Sequence, residues 1–268
     1  MRAFAPGSVT AIFAPAGSGD ESMGASFTVA DGIVADVRPA EDAQSTASPV
    51  VLDGEPTDFA PVEIALRELG LADAASVDLT AEIPIGRGFG ASGAATLATA
   101  LAANAEFDLD RTREQLVEVA HRAEVEAGTG LGDVFVQQMG GLVLGDGTTR
   151  WRFDREDPIE YASFGSIATE DALADDDLMA RIEREGTAAL DALPDDPEMA
   201  DVTREGWTFA QAIDLPTEEV RETVADVEAA GGVASMAMVG ETVFAVGVEG
   251  VLANRTAVSP DGAHVVGD

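Results

Sequence analysis

The sequence predicts an α+β protein in two parts, residues 1–152 and 153–268. Three observations lead there. Short alternating runs separated by turns fill roughly the first eighty positions. A glycine-rich loop around Gly90 then opens onto a long alanine-rich helix, and beyond Arg150 the chain turns acidic and helical before closing on strands. With 268 residues, one large domain or two small ones can each bury a real core.

Taken in order, Val9–Phe13, Ala25–Val29 and Gly32–Val37 read as short strands. Pro61–Gly70 is a helix: Val62, Ala65, Leu66 and Leu69 recur at helical spacing and Gly70 closes it. Val77–Ile83 alternates apolar and polar, as a half-buried strand does. Helices follow over 92–104 and 111–127, the second with Leu116, Val119, Ala120 and Ala123 on one face. Gly128–Asp133 breaks it, a short helix runs through Gln138, and Gly141–Gly145 is a strand. The acidic segment predicts helices over Thr169–Ala174, Asp176–Ala192, Pro197–Ile213 and Pro216–Ala230. Strands Val233–Val239 and Thr242–Val248, joined by Gly240-Glu241, and a last strand over 263–266 end the chain.

Composition excludes several functions. The formal net charge is −35, and every basic residue is arginine. So acidic a surface has no affinity for nucleic acid or anionic membrane, which need cationic patches. Its 46% hydrophobic content and its periodic segments argue for a folded chain rather than a disordered acidic one. The expectation is a protein of a very salty cytoplasm, where a Debye length of about 3 Å at 1 M salt screens the self-repulsion. Without cysteine there is no disulfide, thiolate metal site or cysteine nucleophile. Met1–Pro6 lacks the apolar stretch of a secretory leader and no run reaches the ~18 apolar residues of a membrane span, so a soluble cytoplasmic protein is expected.

The most informative segment is Pro84-Ile85-Gly86-Arg87-Gly88-Phe89-Gly90-Ala91-Ser92-Gly93-Ala94. Glycines let backbone wrap an anion, and the helix behind them aims free N–H groups and its positive dipole end at it. The natural guest is a phosphate. A Walker A loop is excluded because its lysine is missing. Gly88-x-Gly90-x-x-Gly93 also satisfies a dinucleotide fingerprint, but the strand before it carries Asp78, Thr80 and Glu82 on one face. The first strand of a dinucleotide-binding fold is buried on both faces.

A second constellation is Ala120-His121-Arg122-Ala123-Glu124 followed by Thr129-Gly130-Leu131-Gly132-Asp133. Glu124 shares a helix face with His121, and the glycine-rich reversal can swing Asp133 back to the same spot. Two carboxylates beside a phosphate loop suggest a division of labour, one holding Mg²⁺ and the other accepting a proton from an attacking hydroxyl. His121 fits either a satisfied histidine at the core edge or a ligand-facing group. The third, Gly231–Gly240, fits a helix stop and turn, or a second backbone approach to a nucleotide.

These segments, in this order, resemble the GHMP kinase superfamily, whose central motif Pro-x-x-x-Gly-Leu-Gly-Ser-Ser-Ala-Ala stands here as Pro84–Ala94, with Phe89, Ala91 and Gly93 replacing Leu, Ser and Ala. Ala5-Pro6-Gly7 matches its N-terminal motif and Gly231–Gly240 loosely its C-terminal one. Within it the chain is most similar to the archaeal pantoate kinases, on Ser22-Met23-Gly24-Ala25, His121-x-Ala123-Glu124 and Thr129–Asp133. The resemblance implies an N-terminal domain carrying the loop, a C-terminal ferredoxin-like domain, and ATP and Mg²⁺ between them. Pro84, Gly86, Gly88, Gly90, Ala91, Ser92 and Gly93 would hold the nucleotide, and Ser92 and Glu124 the metal. Asp133 would be the catalytic base. Ser22, His121 and Thr169 would hold pantoate, whose carboxylate would pair with Arg150 or Arg152. A homodimer is compatible with this likeness. Where several relatives carry lysine after Ala-Pro-Gly, this chain has Ser8.

Overall fold

In a computed structural model the structure describes residues 1–16, 21–40, 50–130, 132–165, 176–238 and 240–267. Two long strands, β1 (Arg2–Ala16) and β2 (Glu21–Pro39), form the antiparallel spine of an eight-stranded sheet. The sequence marked only their most apolar stretches, because Pro6 and Gly7 interrupt the pattern of β1. The pairing absorbs them as a register shift between Pro6 and Ser8, where a proline without an amide is tolerated. β3 (Val50–Leu52), β4 (Glu55–Pro56) and β5 (Ala75–Ala81) extend the sheet on one side. β5 alternates as expected, with Val77 and Leu79 buried and Asp78 and Thr80 exposed. The far end of β2 pairs with β6 (Leu142–Asp146), which pairs with β7 (Arg150–Phe153).

Helix α2 (Ala91–Glu106) packs on this sheet, and α1 (Ala60–Glu68) and α3 (Arg113–Ala127) pack on α2 and on each other. α2 is buried along nearly its whole length; its alanines and small side chains let β1, β2 and the flanking helices approach on all sides. α3 starts on a capping box, with Thr112 and Gln115 satisfying each other's backbone amides. The short α4 (Asp133–Met139) wedges between α2, α3 and β1.

The second sheet is antiparallel, ordered β11 (Asn254–Ala257), β8 (Pro158–Gly165), β10 (Glu241–Val246), β9 (Val233–Met236). α6 (Met199–Ala212) and α7 (Glu218–Ala229) pack on it, while α5 (Asp176–Ala192) and α6 also cover β1. β8 adds a strand to the acidic segment where the sequence reading assigned no element. Glu160 occupies an inward position of that strand, which broke the apolar alternation, and backbone amides of residues 250–252 satisfy it there. The last strand, β12 (His264–Val266), returns to pair with β1 of the first sheet. The expected helix Thr169–Ala174 and the end of the expected strand at Val239 lie outside the described residues. No described helix is long and apolar enough to cross a membrane.

Candidate functional site

The glycine loop delivers its backbone to the start of α2 in the way its composition predicts. Gly86, Gly88 and Gly90 have φ of 69°, 88° and 58°, a region that side chains disfavour. Gly90 is further constrained by its neighbours. A Cβ there would collide with the Ser8 hydroxyl and lie 2.8 Å from Gln137 Nε2. No side chain caps α2. Among the described residues, the amides of Gly88, Gly90, Ala91, Ser92 and Gly93 donate no hydrogen bond. Unsatisfied N–H groups at the positive end of a sixteen-residue helix make an anion site.

Beside it lies Glu124, only 3% exposed, in the penultimate turn of α3. Its Oε1 accepts from Ser92 Oγ at 2.8 Å and from Thr96 Oγ1 at 2.9 Å, and its Oε2 from Thr129 Oγ1 at 3.0 Å. Ser92 and Thr96 stand one turn apart on α2, so one helix face presents both hydroxyls. Burial pushes the Glu124 carboxyl above the ordinary range, the three hydroxyls pull it back, and the charge of Asp133 adds to the rise. No described arginine pairs with it. A buried carboxylate ringed by hydroxyls and lacking a countercharge suits a hard cation such as Mg²⁺.

Asp133 opens α4 on the other side of the loop. Its Oδ1 accepts from Ser8 Oγ at 2.8 Å, and Ser8 in turn accepts from Gln137 Nε2 at 3.1 Å. The residue keeps some accessible surface, yet protein atoms crowd its carboxyl, and burial raises the carboxyl's pKa against the Ser8 bond. A Cβ added to Gly130 would sit 3.1 Å from Glu124 Oε2 and 3.7 Å from Asp133 Oδ2. The glycine between them therefore keeps open the space that both carboxylates border.

Ser22, His121 and Arg150, three of the residues named for the acceptor, gather around the same first turn of α4. Ser22 Oγ would be 3.6 Å from a Cβ on Gly132. The Phe135 ring links two others: the Arg150 guanidinium stacks on it 3.9 Å from its centroid, and the His121 ring lies 4.8 Å away. Register brings Arg150 near, since it faces Gly145 of β6, which faces Gly24 of β2, two positions from Ser22. Arg152 is engaged elsewhere, donating to the carbonyls of Gly140 and Pro260 and pairing with Asp154. Pro84 lies between β5 and the loop. Thr169 lies outside the described residues.

Sequence reasoning missed Thr96, Thr129, Phe135 and Gln137, and gave Ser8 no role beyond an absent lysine. A signal existed for Thr96, one turn after Ser92. Gln137, fully buried on a short helix, carried none. The Gly231–Gly240 alternatives resolve into two parts. Gly231 and Gly232 stop α7, their amides bonding back to Glu228 and Val227. Gly240, at φ 130°, abuts the phosphate loop itself: a Cβ there would be 2.5 Å from Arg87 C and O.

Comparison with known proteins agrees with this geometry. The profile of the GHMP kinases N terminal domain matches residues 60–141, the stretch from α1 through the loop to the end of α4. The pantoate kinase of Methanospirillum hungatei is 30% identical over 260 residues, covering 92% of this chain and 87% of that one. That of Methanocaldococcus jannaschii is 25% identical, covering 91% of each. A solved phosphotransferase related to the CoA biosynthesis pathway superposes with a TM-score of 0.82 at 24% identity, covering 99% of this chain and 98% of that one, which supports the fold. On the first of these likenesses, extended over nearly the whole length of both proteins, this chain belongs to the GHMP kinase family.

Proposed function

We propose that this protein is a small-molecule kinase that transfers the γ-phosphoryl group of ATP to the primary hydroxyl of pantoate, giving 4-phosphopantoate in coenzyme A biosynthesis. The observation that carries the reading is the convergence of Ser92, Glu124 and Asp133 on one set of open amides, beside an arginine stacked for a carboxylate. The full-length likeness to two archaeal pantoate kinases supports pantoate as the acceptor.

Residues 84–93 wrap the triphosphate with backbone amides. Ser92 and Glu124 hold Mg²⁺, which supplies charge neutralisation at the phosphate oxygens. The donor set fits: hydroxyls and one buried carboxylate without a countercharge. Asp133 engages Ser8 through Oδ1 and leaves Oδ2 to accept the proton of the acceptor hydroxyl. Burial raises the proton affinity of that carboxyl, which suits a base working near neutral pH. Arg150 grips the acceptor's carboxylate as a planar fork, and its stacking on Phe135 fixes the plane of that fork. Ser22, His121 and Thr169 hold its hydroxyls, and the two-domain division at 152/153 puts the nucleotide between the parts. Catalysis then consists of positioning for in-line attack and electrostatic stabilisation, as phosphoryl transfer requires.

ATP consumption measured in molar salt with pantoate, shikimate, homoserine and mevalonate tests the reading. Pantoate is expected to exceed the others in kcat/KM by at least about a hundredfold, the discrimination a pocket shaped and hydrogen-bonded for one acceptor provides when all four carry a carboxylate. Equal or better turnover of any other acceptor overturns it.

A further inference from the structure

Three carbonyls of the phosphate loop are each held by a donor from a different element. The hydroxyl of Thr242, on β10 of the second sheet, donates to Arg87 O at 2.6 Å. The backbone amide of Ser8, on β1, donates to Phe89 O at 2.9 Å. Gln137 Nε2, on α4, donates to Gly90 O at 2.7 Å. Every peptide among the described residues is trans, so a carbonyl and the N–H that follows it point in opposite directions. Turning these carbonyls outward turns the N–H groups of Gly88, Gly90 and Ala91 inward, and these are among the amides left without partners.

The Arg87–Gly88 peptide is open to rotation on one side, because Gly88, which follows it, sits at φ 88°. Glycine tolerates either sign of φ, so the plane can flip at little steric cost there. Two contacts oppose the flip. Gly240 presses on the plane from outside, where even a Cβ would overlap it. Thr242 is fully buried and its single hydroxyl proton goes to Arg87 O. Ser163 Oγ on β8 lies 2.6 Å from Thr242 Oγ1. With the Thr242 proton committed, Ser163 is the donor of that pair and fixes the Thr242 rotor.

Taking residues 84–93 as the ATP cradle, as proposed above, we infer that Thr242, oriented by Ser163, is a positioning residue that holds the Arg87–Gly88 peptide with its N–H turned to the triphosphate. Thr242 thereby tunes nucleotide affinity through the loop backbone it holds.

The test is calorimetric titration of the full chain in molar salt with Mg²⁺ and a non-hydrolysable ATP analogue, alongside steady-state kinetics. Thr242→Val keeps the buried shape and removes the donor. It is expected to weaken analogue binding and raise the KM for ATP about 10- to 50-fold, the scale of a buried carbonyl losing its partner. The kcat and the KM for pantoate should stay within about threefold of the parent's. Thr242→Ser should restore affinity. Ser163→Ala, at a half-buried position, should weaken binding in the same direction by about threefold. Unchanged analogue binding in Thr242→Val overturns the inference, as does a loss spread equally over ATP, pantoate and kcat, or failure of Thr242→Ser to restore binding. If the parent protein binds no analogue, the ATP reading falls and this inference with it; parental binding with an indifferent Thr242→Val sinks the inference alone.

Discussion

Glu124 and Glu160 are the same residue type, almost equally buried, and they titrate in opposite directions. Glu160 on β8 accepts from the backbone amides of Gly250, Val251 and Leu252 and lies 3.6 Å from Arg255 Nε. The Leu252 amide, then those of Gly250 and Val251, hold its carboxyl below the ordinary range despite the cost of burial. Glu124 on α3 has only hydroxyls and a second carboxylate nearby, and burial drives its carboxyl up. The charge of Glu160 is complete within the protein; that of Glu124 is left for a cation to complete on the reading proposed above. The partners of a buried acid, more than its exposure, distinguish the two environments.

The largest expected effect concerns Asp133, the base proposed beside Glu124. Asp133→Asn should lower kcat by about 10³-fold, within the range for a positioned general base, while the affinity for a non-hydrolysable ATP analogue is unchanged. Near-parental turnover would remove Asp133 from the chemistry. Glu124→Gln should lower kcat by about 100-fold, the scale of losing a metal-held charge, and should abolish the stabilisation that Mg²⁺ and nucleotide together give the parent in a melting assay. Its ligand-free Tm should equal or exceed the parent's. A lower one would mean that Glu124 is as complete as Glu160.

Salt comes next. Moving from molar salt to dilute buffer unscreens a net charge of −35, so Tm and activity should both fall, Tm by more than Glu160→Gln lowers it. A salt-independent Tm would refute the halophilic reading of the composition. The smallest effect is at the structural acid: Glu160→Gln should lower Tm by about 3–8 °C, from weakened charge-assisted bonds to the 250–252 turn, with kcat unchanged at temperatures well below the melt.

The pH dependence sharpens the contrast. Glu160 binds its proton less tightly folded than unfolded, so its contribution to stability is present above the unfolded carboxylate pKa and is lost as pH falls through the folded one. Glu124 and Asp133 bind theirs more tightly folded, so the ligand-free protein loses stability as pH rises from the unfolded carboxylate pKa through their raised values. Melting the ligand-free protein across pH 4 to 8 should therefore show Glu160→Gln converging on the parent at the acid end, and Glu124→Gln gaining on it toward neutrality.

The legible parts of this protein are those encoded locally. The loop with its glycines, the helix behind it and the capped α3 announce themselves within a dozen residues, and so does the break that returns Asp133. Ser92, Glu124 and Asp133 could be singled out because glycines flank Ser92 and Asp133 and an apolar helix face carries Glu124. Ser8, Gln137 and Thr242 could not, because each acts across long separations: Ser8 meets Asp133 over 125 positions, and Thr242 meets Arg87 over 155. Nothing in the sequence singled out Phe135, and only the packing of α4 puts Arg150 and His121 around it. β8 was hidden by the very acid that the amides of the 250–252 turn satisfy. Periodicity sees the polarity of Glu160 but not its partners.

The central claim is that the carboxylate pair beside the loop transfers phosphate to pantoate. Phosphorus NMR of the purified protein in molar salt with ATP, Mg²⁺ and pantoate tests it most directly. The account predicts one phosphomonoester signal growing as the γ-phosphate signal disappears, in equal amounts, with the phosphate coupled to the protons of the primary carbinol, and no such signal with Asp133→Asn. A γ-phosphate signal that persists with pantoate present, or a monoester that forms equally well with Asp133→Asn, contradicts it.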